Sequence, residues 1–173
     1  RFRGNFPSRK LGRMVAWESL TERDVILLLE FSPGVLSYQE QPTLIQYHDG
    51  QDTRSYYPDF EVIFLTGEAI HVEVKTAHDL AKQVIQDKYR TIAADYNRRQ
   101  QGFRILSDHD LRCGSLLRNL QLLASVQRMA GRTIDFRRLW NNHFTSELVP
   151  FADAEERLGR VTLLALIAVG VAH

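Results

Sequence analysis

The sequence contains a single cysteine, Cys113, among its 173 residues. One cysteine excludes an intrachain disulfide framework and a cysteine-rich zinc site, and it makes a reducing compartment such as the cytoplasm the simplest interpretation. The first residues contain no recognisable signal peptide, and the apolar run over residues 161–172 is too short to cross a bilayer. A hydrophobic content of 44% is ordinary for a globular protein, so the chain is expected to bury a substantial core.

The chain also lacks a large net charge, because 22 lysines and arginines nearly balance 21 aspartates and glutamates. The charges are nevertheless segregated: residues 1–13 are basic with no acid, residues 40–79 are predominantly acidic, and residues 98–138 are basic again. Arginine outnumbers lysine, and its planar fork suits phosphate oxygens. Basic flanks around an acidic centre suit a polyanion held over a metal site, although such runs are more often solvated surface.

Residues 59–75 predict a β-hairpin. Two runs rich in β-branched and aromatic residues flank the three-residue loop 65–67, which ends in a glycine where a positive φ is needed. This loop sets Asp59 opposite Glu73. Because side chains alternate across a sheet, one face is apolar and the other polar, with Phe60, Val62, Phe64, Ile70, Val72 and Val74 on the first face and Asp59, Glu61, His71, Glu73 and Lys75 on the second.

Two acids directly opposite each other repel, so a positive group is expected between Asp59 and Glu73, either a metal or Lys75. Carboxylate oxygens are the ligands that Mg²⁺ prefers, and a lysine on the same face can orient an attacking water or stabilise developing negative charge. The alternative is that a half-exposed hairpin simply carries charges on its solvated side. The pairing alone does not decide between these interpretations.

The rest of the N-terminal region predicts a mixed α/β fold. A helix is expected over residues 17–31, a strand over 35–47 that is interrupted at Gln41-Pro42, a long helix over 79–99 and a strand over 103–106. With the hairpin, the order is α, β, β, β, α, β.

Helix-forming composition dominates the remainder of the chain, over residues 111–131, 134–141 and 152–173. We therefore expect a separate small helical unit, with Gly131 and Pro150 as its breaks.

The spacing of Pro58-Asp59 and Glu73-Val74-Lys75 is the pattern of the PD-(D/E)xK nuclease superfamily. A set of linked motifs over about residues 6–108 further resembles the TnsA family, the endonuclease subunits of heteromeric cut-and-paste transposases. The motifs that carry this resemblance are Phe6-Pro7-Ser8-Arg9-Lys10, Glu18-Ser19-Leu20-Thr21-Glu22-Arg23-Asp24, Leu28-Leu29-Glu30-Phe31, Glu40-Gln41-Pro42, Tyr57-Pro58-Asp59-Phe60 and Glu73-Val74-Lys75.

The resemblance implies a restriction-endonuclease-like core, a mixed central sheet flanked by helices, over residues 1–108. It implies a helical C-terminal domain for partner contact over 109–173, with a winged-helix-like fold as one candidate. Carried over residue by residue, Glu22, Asp59 and Glu73 would hold the metal and Lys75 would be the catalytic lysine. At least one familiar member has glutamine at the position of Glu73, so glutamate here is the commoner superfamily form.

The activity implied is a Mg²⁺-dependent DNA endonuclease, with Mn²⁺ as a substitute, that cuts one strand at each transposon end, at the 5′ end. Hydrolysis with one metal or with two remains open. The implied partners are transposon-end DNA, a DDE-type transposase (TnsB-like) and an AAA+ regulator (TnsC-like), in a bacterial cytoplasm at the nucleoid.

Several interpretations stay open at this point. Ser19-x-x-Glu22 is also a capping box, in which the glutamate stabilises a helix start and does no chemistry. Two alternative functions remain. The chain could be a nuclease-fold scaffold that binds DNA or a transposase without cutting, or a stand-alone repair or restriction nuclease. Candidate DNA contacts are Arg9, Lys10, Arg13, Gln41, Lys82, Gln86 and Lys88, and Tyr89 is placed on the same helix surface.

Overall fold

The structure is a computed structural model that describes residues 2–112, 114–129, 142 and 149–168. The chain divides into two compact units, Arg1–Leu117 and Arg118–His173. The first unit thus extends to Leu117, whereas the sequence places the end of the domain at residue 108.

The first unit combines strands and helices. Its strands are β1 (Gly4–Ser8), β2 (Arg13–Trp17), β3 (Val35–Glu40), β4 (Ile45–His48), β5 (Thr53–Tyr56), β6 (Phe60–Phe64), β7 (Ala69–Lys75) and β8 (Gly102–Ser107). Its helices are α1 (Leu20–Phe31), α2 (Ala77–Leu80), α3 (Gln83–Arg98) and α4 (Asp108–Leu111), and α5 (Leu116–Met129) begins at its end.

A four-stranded mixed sheet in the order β3-β6-β7-β8 forms the centre of this unit. Strands β3, β6 and β7 run antiparallel, whereas β8 runs parallel to β7 because α3 carries the chain back across the sheet. The predicted hairpin register is confirmed, since Phe60 pairs with Val72 and Val62 with Ile70. Gly67 has the positive φ, 86°, that the loop requires. The mixed α/β class expected from the sequence is therefore present.

Helices cover both faces of the central sheet. Helix α1 packs against β3 and β7, and the side chains of the apolar hairpin face, such as Phe60 and Val72, are buried. Helix α3 packs against β4 and β8. On that second side a cluster of buried residues fills the space, with Phe103 and Ile105 of β8 against it: Tyr47, Tyr56, Tyr89, Ile92 and Tyr96. The polar hairpin face is therefore partly enclosed and not simply solvated.

The basic N-terminal segment is a hairpin held by a buried carboxylate. Glu30 accepts hydrogen bonds from the Ser8 hydroxyl at 2.6 Å and the Tyr38 hydroxyl at 2.8 Å. It also accepts the backbone N–H groups of Arg9 at 2.8 Å and Lys10 at 3.1 Å. The bonds to Ser8, Arg9 and Lys10 fix the turn between β1 and β2 onto α1, and the bond to Tyr38 ties β3 to the same carboxylate.

Several predicted boundaries shift for local reasons. Helix α1 starts at Leu20 and not at residue 17, because Ser19 is its N-cap. The long helix expected over 79–99 is two helices, α2 and α3, with Thr76 capping the first. The break expected at Gln41-Pro42 separates β3 from β4, which pair in different sheets. Strands β1, β2 and β5 were not predicted.

The described part of the second unit is helical. After most of α5 come α6 (Phe151–Leu158) and α7 (Arg160–Ala168), which are separated by Gly159 at a φ of 75°. Val126 of α5 packs with Leu166, and Ala154 packs with Leu163. The predicted helix over 134–141, the residues after 168 and Cys113 lie outside the described residues. Within the described residues, no helix has the length and apolarity needed to cross a membrane.

Candidate active site

The hairpin brings Asp59, Glu73 and Lys75 together. The ammonium nitrogen of Lys75 lies 2.6 Å from Oε1 of Glu73 and 3.5 Å from Oδ2 of Asp59. The same Asp59 oxygen accepts the backbone N–H of Val74 at 2.6 Å. The lysine therefore bridges the two acids, and this is one of the two positive groups expected from their pairing.

Burial and charge perturb the protonation of this group. Burial, and next the negative charge of Glu73, raise the pKa of Asp59 to about 6, although Lys75 opposes the shift. Burial alone would lower the pKa of the Lys75 ammonium, but the charges of Glu73 and Asp59 outweigh it and raise that pKa. Perturbed acids beside a cation are typical of functional sites.

Glu73 is the most enclosed member, with 4% of its surface exposed. Its Oε1 accepts two hydrogen bonds, from the Tyr89 hydroxyl at 2.6 Å and from Lys75. Its Oε2 is buried and has no hydrogen-bond partner among the residues that the structure describes. A buried carboxylate oxygen without a partner costs free energy, and a divalent cation is a ligand that would satisfy it. The chemistry of the site therefore fits a hard metal ion.

Glu22 does not join this group in the structure. Its Oε2 accepts the backbone N–H of Glu18 at 2.8 Å, and its Oε1 accepts the Ser19 hydroxyl at 2.9 Å, while the Ser19 Oγ accepts the Glu22 N–H at 3.1 Å. Ser19 therefore caps α1 as Ser19-x-x-Glu22 allowed, although the carboxylate accepts the N–H of Glu18 and not that of the N-cap residue itself. Across the described ranges, no three His, Cys, Asp or Glu side chains are arranged to hold a metal. The expected cluster of three acids is therefore reduced to two here.

Two of the candidate DNA contacts in the N-terminal hairpin are engaged within the protein. The Lys10 ammonium donates to three backbone carbonyls at 2.7–2.8 Å, those of Leu29 in the last turn of α1, Ser32 at its C-cap and Val35 at the start of β3. The Arg13 guanidinium forms a bidentate salt bridge with the Glu40 carboxylate, with N–O distances of 2.7 and 2.6 Å. The structure therefore gives both side chains a structural partner, which the sequence did not indicate.

Arg9 and Gln41 are fixed through their backbones. The Arg9 N–H donates to Glu30, and its side chain is exposed. Gln41 has a φ of 41°, unusual for a residue other than glycine, and its N–H donates to the carbonyl oxygen of Asp59 at 2.9 Å. Gln41 therefore lies directly beside the site, and DNA contact by either side chain stays a prediction.

The candidates after β7 lie around α2 and α3. The Lys82 ammonium is 2.5 Å from Asp79, and the Gln86 amide donates to the carbonyl of Leu80 at 2.9 Å. The Lys88 ammonium lies over two rings of the aromatic cluster, 5.8 Å from the centroid of Tyr56 and 5.3 Å from that of Tyr89. Lys88 thus contacts Tyr89, whose hydroxyl donates to Glu73.

Tyr89 is the site residue that the sequence interpretation misplaced. The sequence pattern favours an exposed, DNA-facing position for it, but only 4% of its surface is exposed. Burial raises the pKa of its hydroxyl well above the ordinary range, and the bond to Glu73 acts in the same direction. The signal was present, because Tyr89, Ile92 and Tyr96 recur at helical spacing and all three are buried.

Comparison with known families covers this same region. Residues 32–108 match the family model described as TnsA-like endonuclease N terminal. The match includes Asp59, Glu73, Lys75 and Tyr89, and it begins after Glu22. No curated protein matches the chain significantly. Over residues 32–108 the chain is therefore similar to TnsA-like endonuclease N-terminal domains.

Proposed function

We propose that this chain is a metal-dependent DNA endonuclease that makes single-strand cuts at transposon ends, at the 5′ ends as the TnsA resemblance implies. The observation that carries the proposal is the Oε2 of Glu73, which is buried and has no hydrogen-bond partner in the described part of the chain, beside a lysine that bridges Glu73 to Asp59. The TnsA-like match over residues 32–108 supports a nuclease of transposition. A PD-(D/E)xK core is the fold that this proposal assigns to the central sheet.

Asp59 and Glu73 are the proposed holders of Mg²⁺, for which Mn²⁺ would substitute, because both are carboxylates on one sheet face. When bound, the metal would lower the pKa of a water and offset negative charge on the phosphorane. Glu22 is the third acid that the resemblance implies. To take part it must release Glu18 and Ser19, a change that costs about 1 kcal/mol of capping energy.

Lys75 is the proposed catalytic lysine. Its ammonium is held between the two acids, so it can orient an attacking water and stabilise negative charge that develops on the phosphate. In the reaction the water oxygen bonds to phosphorus as the bond to the leaving sugar oxygen breaks. The attacking water releases one proton to bulk water, and the leaving oxygen takes up one proton from bulk water, so the reaction consumes one water molecule.

Target choice is proposed to come from partners. The resemblance implies a DDE-type transposase and an AAA+ ATPase, and we assign their contact to the helical unit that follows residue 117. A transposase that brings the transposon end to the site would explain how a small nuclease domain acts at one position.

A plasmid-nicking assay tests the proposal. The wild-type chain with Mg²⁺ or Mn²⁺, transposon-end DNA and its partner transposase should nick, and Asp59→Ala should lower the rate by about 100-fold or more. Glu68→Gln is the matched control, because Glu68 is an exposed acid at the turn of the same hairpin.

Equal rates for wild type and Asp59→Ala would remove the catalytic assignment and favour the non-cutting scaffold. Cutting by the wild type without any partner would favour a stand-alone nuclease.

A further inference from the structure

We infer that Tyr89 is a positioning residue for Glu73: its hydroxyl and the Lys75 ammonium together occupy Oε1, so that Oε2 would be available to bind the proposed cation. The inference rests on the proposed metal-dependent nuclease and adds to it a residue of α3. It does not require Tyr89 to touch DNA or metal.

The first support is the division of partners between the two oxygens of Glu73. Oε1 accepts both Tyr89 and Lys75, each at 2.6 Å, whereas Oε2 is buried without a described partner. With Tyr89 absent, Lys75 would be the remaining described donor to this carboxylate. Lys75 also donates to the carbonyl of Val74 at 2.9 Å and lies 3.5 Å from Asp59, so its hold on Glu73 is shared.

The second support is that the Tyr89 hydroxyl is itself fixed. The Tyr89 ring stacks on Phe103 with centroids 6.4 Å apart and planes 26° apart, and Phe103 stacks on Tyr96 at 4.9 Å. Phe103 lies on β8 and pairs with His71 of β7, two residues before Glu73. The Tyr89 ring therefore packs on β8, the strand that pairs with the strand carrying Glu73.

Groups that hold a metal-binding carboxylate in place influence metal affinity although they do not touch the metal. Loss of such a partner typically weakens metal binding or activity by about 10–100-fold, because the carboxylate must then be ordered at the expense of binding energy. Tyr89 has the burial and the single short bond that this role requires.

The test is Tyr89→Phe in the full chain, with Mn²⁺ binding followed by the EPR signal of free Mn²⁺. We expect the Mn²⁺ dissociation constant to rise by about tenfold or more. In the nicking assay kcat should fall while KM for DNA is unchanged, since Tyr89 is buried away from solvent. Tyr47→Phe is the control, because Tyr47 is buried in the same cluster and its ring contacts Tyr56 edge-on.

Both substitutions keep the ring, and binding is expressed per folded molecule from the circular dichroism of each sample. If Tyr89→Phe binds Mn²⁺ and nicks DNA as Tyr47→Phe does, the inference is overturned while the proposed function stands. If the wild type itself neither binds Mn²⁺ nor nicks DNA, the proposed function fails and the role of Tyr89 fails with it.

Discussion

The ammonium of Lys10 lies 2.8 Å from the carbonyl oxygen of Leu29 in the last turn of α1. The carbonyls of Ser32 and Val35 complete its set of acceptors. Helix ends leave carbonyls without intrahelical partners, and a cation there also interacts favourably with the helix dipole. Burial lowers the pKa of Lys10, an effect that the charge of Glu30 only partly offsets. In this structure the Lys10 side chain therefore stabilises the C-terminal end of α1 by donating to carbonyls there.

Lys10→Met should lower the free energy of unfolding by about 2 kcal/mol, because three carbonyls lose a charged donor. Urea denaturation measures this. Lys82→Met, at an exposed lysine, should change stability by about 0.5 kcal/mol or less. Unchanged stability of Lys10→Met, together with weaker and less salt-dependent DNA binding, would return Lys10 to the DNA-contacting set.

Gly102→Ala should destabilise the protein by about 1–3 kcal/mol through a steric clash between β8 and β7. A Cβ at this position would meet the side chain of Ile70, whose own Cβ would be 2.9 Å away, and the two residues pair in the sheet. Gly34→Ala is the control, because a Cβ there would meet nothing within 4 Å. The midpoints of thermal or urea denaturation are compared for the two variants. Equal midpoints would contradict the close contact between Gly102 and Ile70.

Ser19→Ala and Glu22→Ala separate capping from catalysis. Each removes part of the same cap, so each should lower stability by about 1 kcal/mol. Only Glu22→Ala should also reduce nicking, by about tenfold or more, if the glutamate moves to the metal as the resemblance implies. Equal nicking rates for the two variants would leave Glu22 with the cap alone.

Stability should depend on pH through Asp59. Its pKa in the folded protein, about 6, lies above the ordinary value, so the folded state binds the proton more tightly than the unfolded state. The stabilising contribution is complete below the unfolded pKa and is lost as pH rises through about 6. We therefore expect the free energy of unfolding of Asp59→Asn, relative to that of the wild type, to be higher at pH 7.5 than at pH 4.5 by at least about 1 kcal/mol, with both proteins in EDTA. Urea denaturation at both values, with Glu68→Gln as reference, would show no such gain if Asp59 titrates normally.

The position of the acids and the lysine could be predicted because it depends on local pattern. Alternation of side chains and one glycine determine the hairpin register, and the register determines which residues share a face. The cover over that face depends on a distant helix. Lys88 and Arg90 flank Tyr89 and indicate an exposed surface, whereas packing on Phe103 decides that the tyrosine is buried.

The N-terminal hairpin and the position of Glu22 could not be predicted from the sequence, for different reasons. The turn of the hairpin is held by Glu30, which lies more than twenty residues away in the chain, and nothing local in a basic segment indicates such a partner. For Glu22 the sequence supports two arrangements of the same side chain. Because the cap uses neighbouring residues, it forms without any tertiary contact.

Asp59 is anchored at two points, since its carbonyl oxygen accepts the N–H of Gln41 and its carboxylate accepts the N–H of Val74. One anchor follows the edge strand β3 and the other lies in the inner strand β7. A molecule in which either strand has yet to dock would leave this carboxylate on a loose chain, far from a defined geometry. Under the proposed function, a copy in which either strand is undocked would lack a positioned Asp59 and would not be expected to cut DNA.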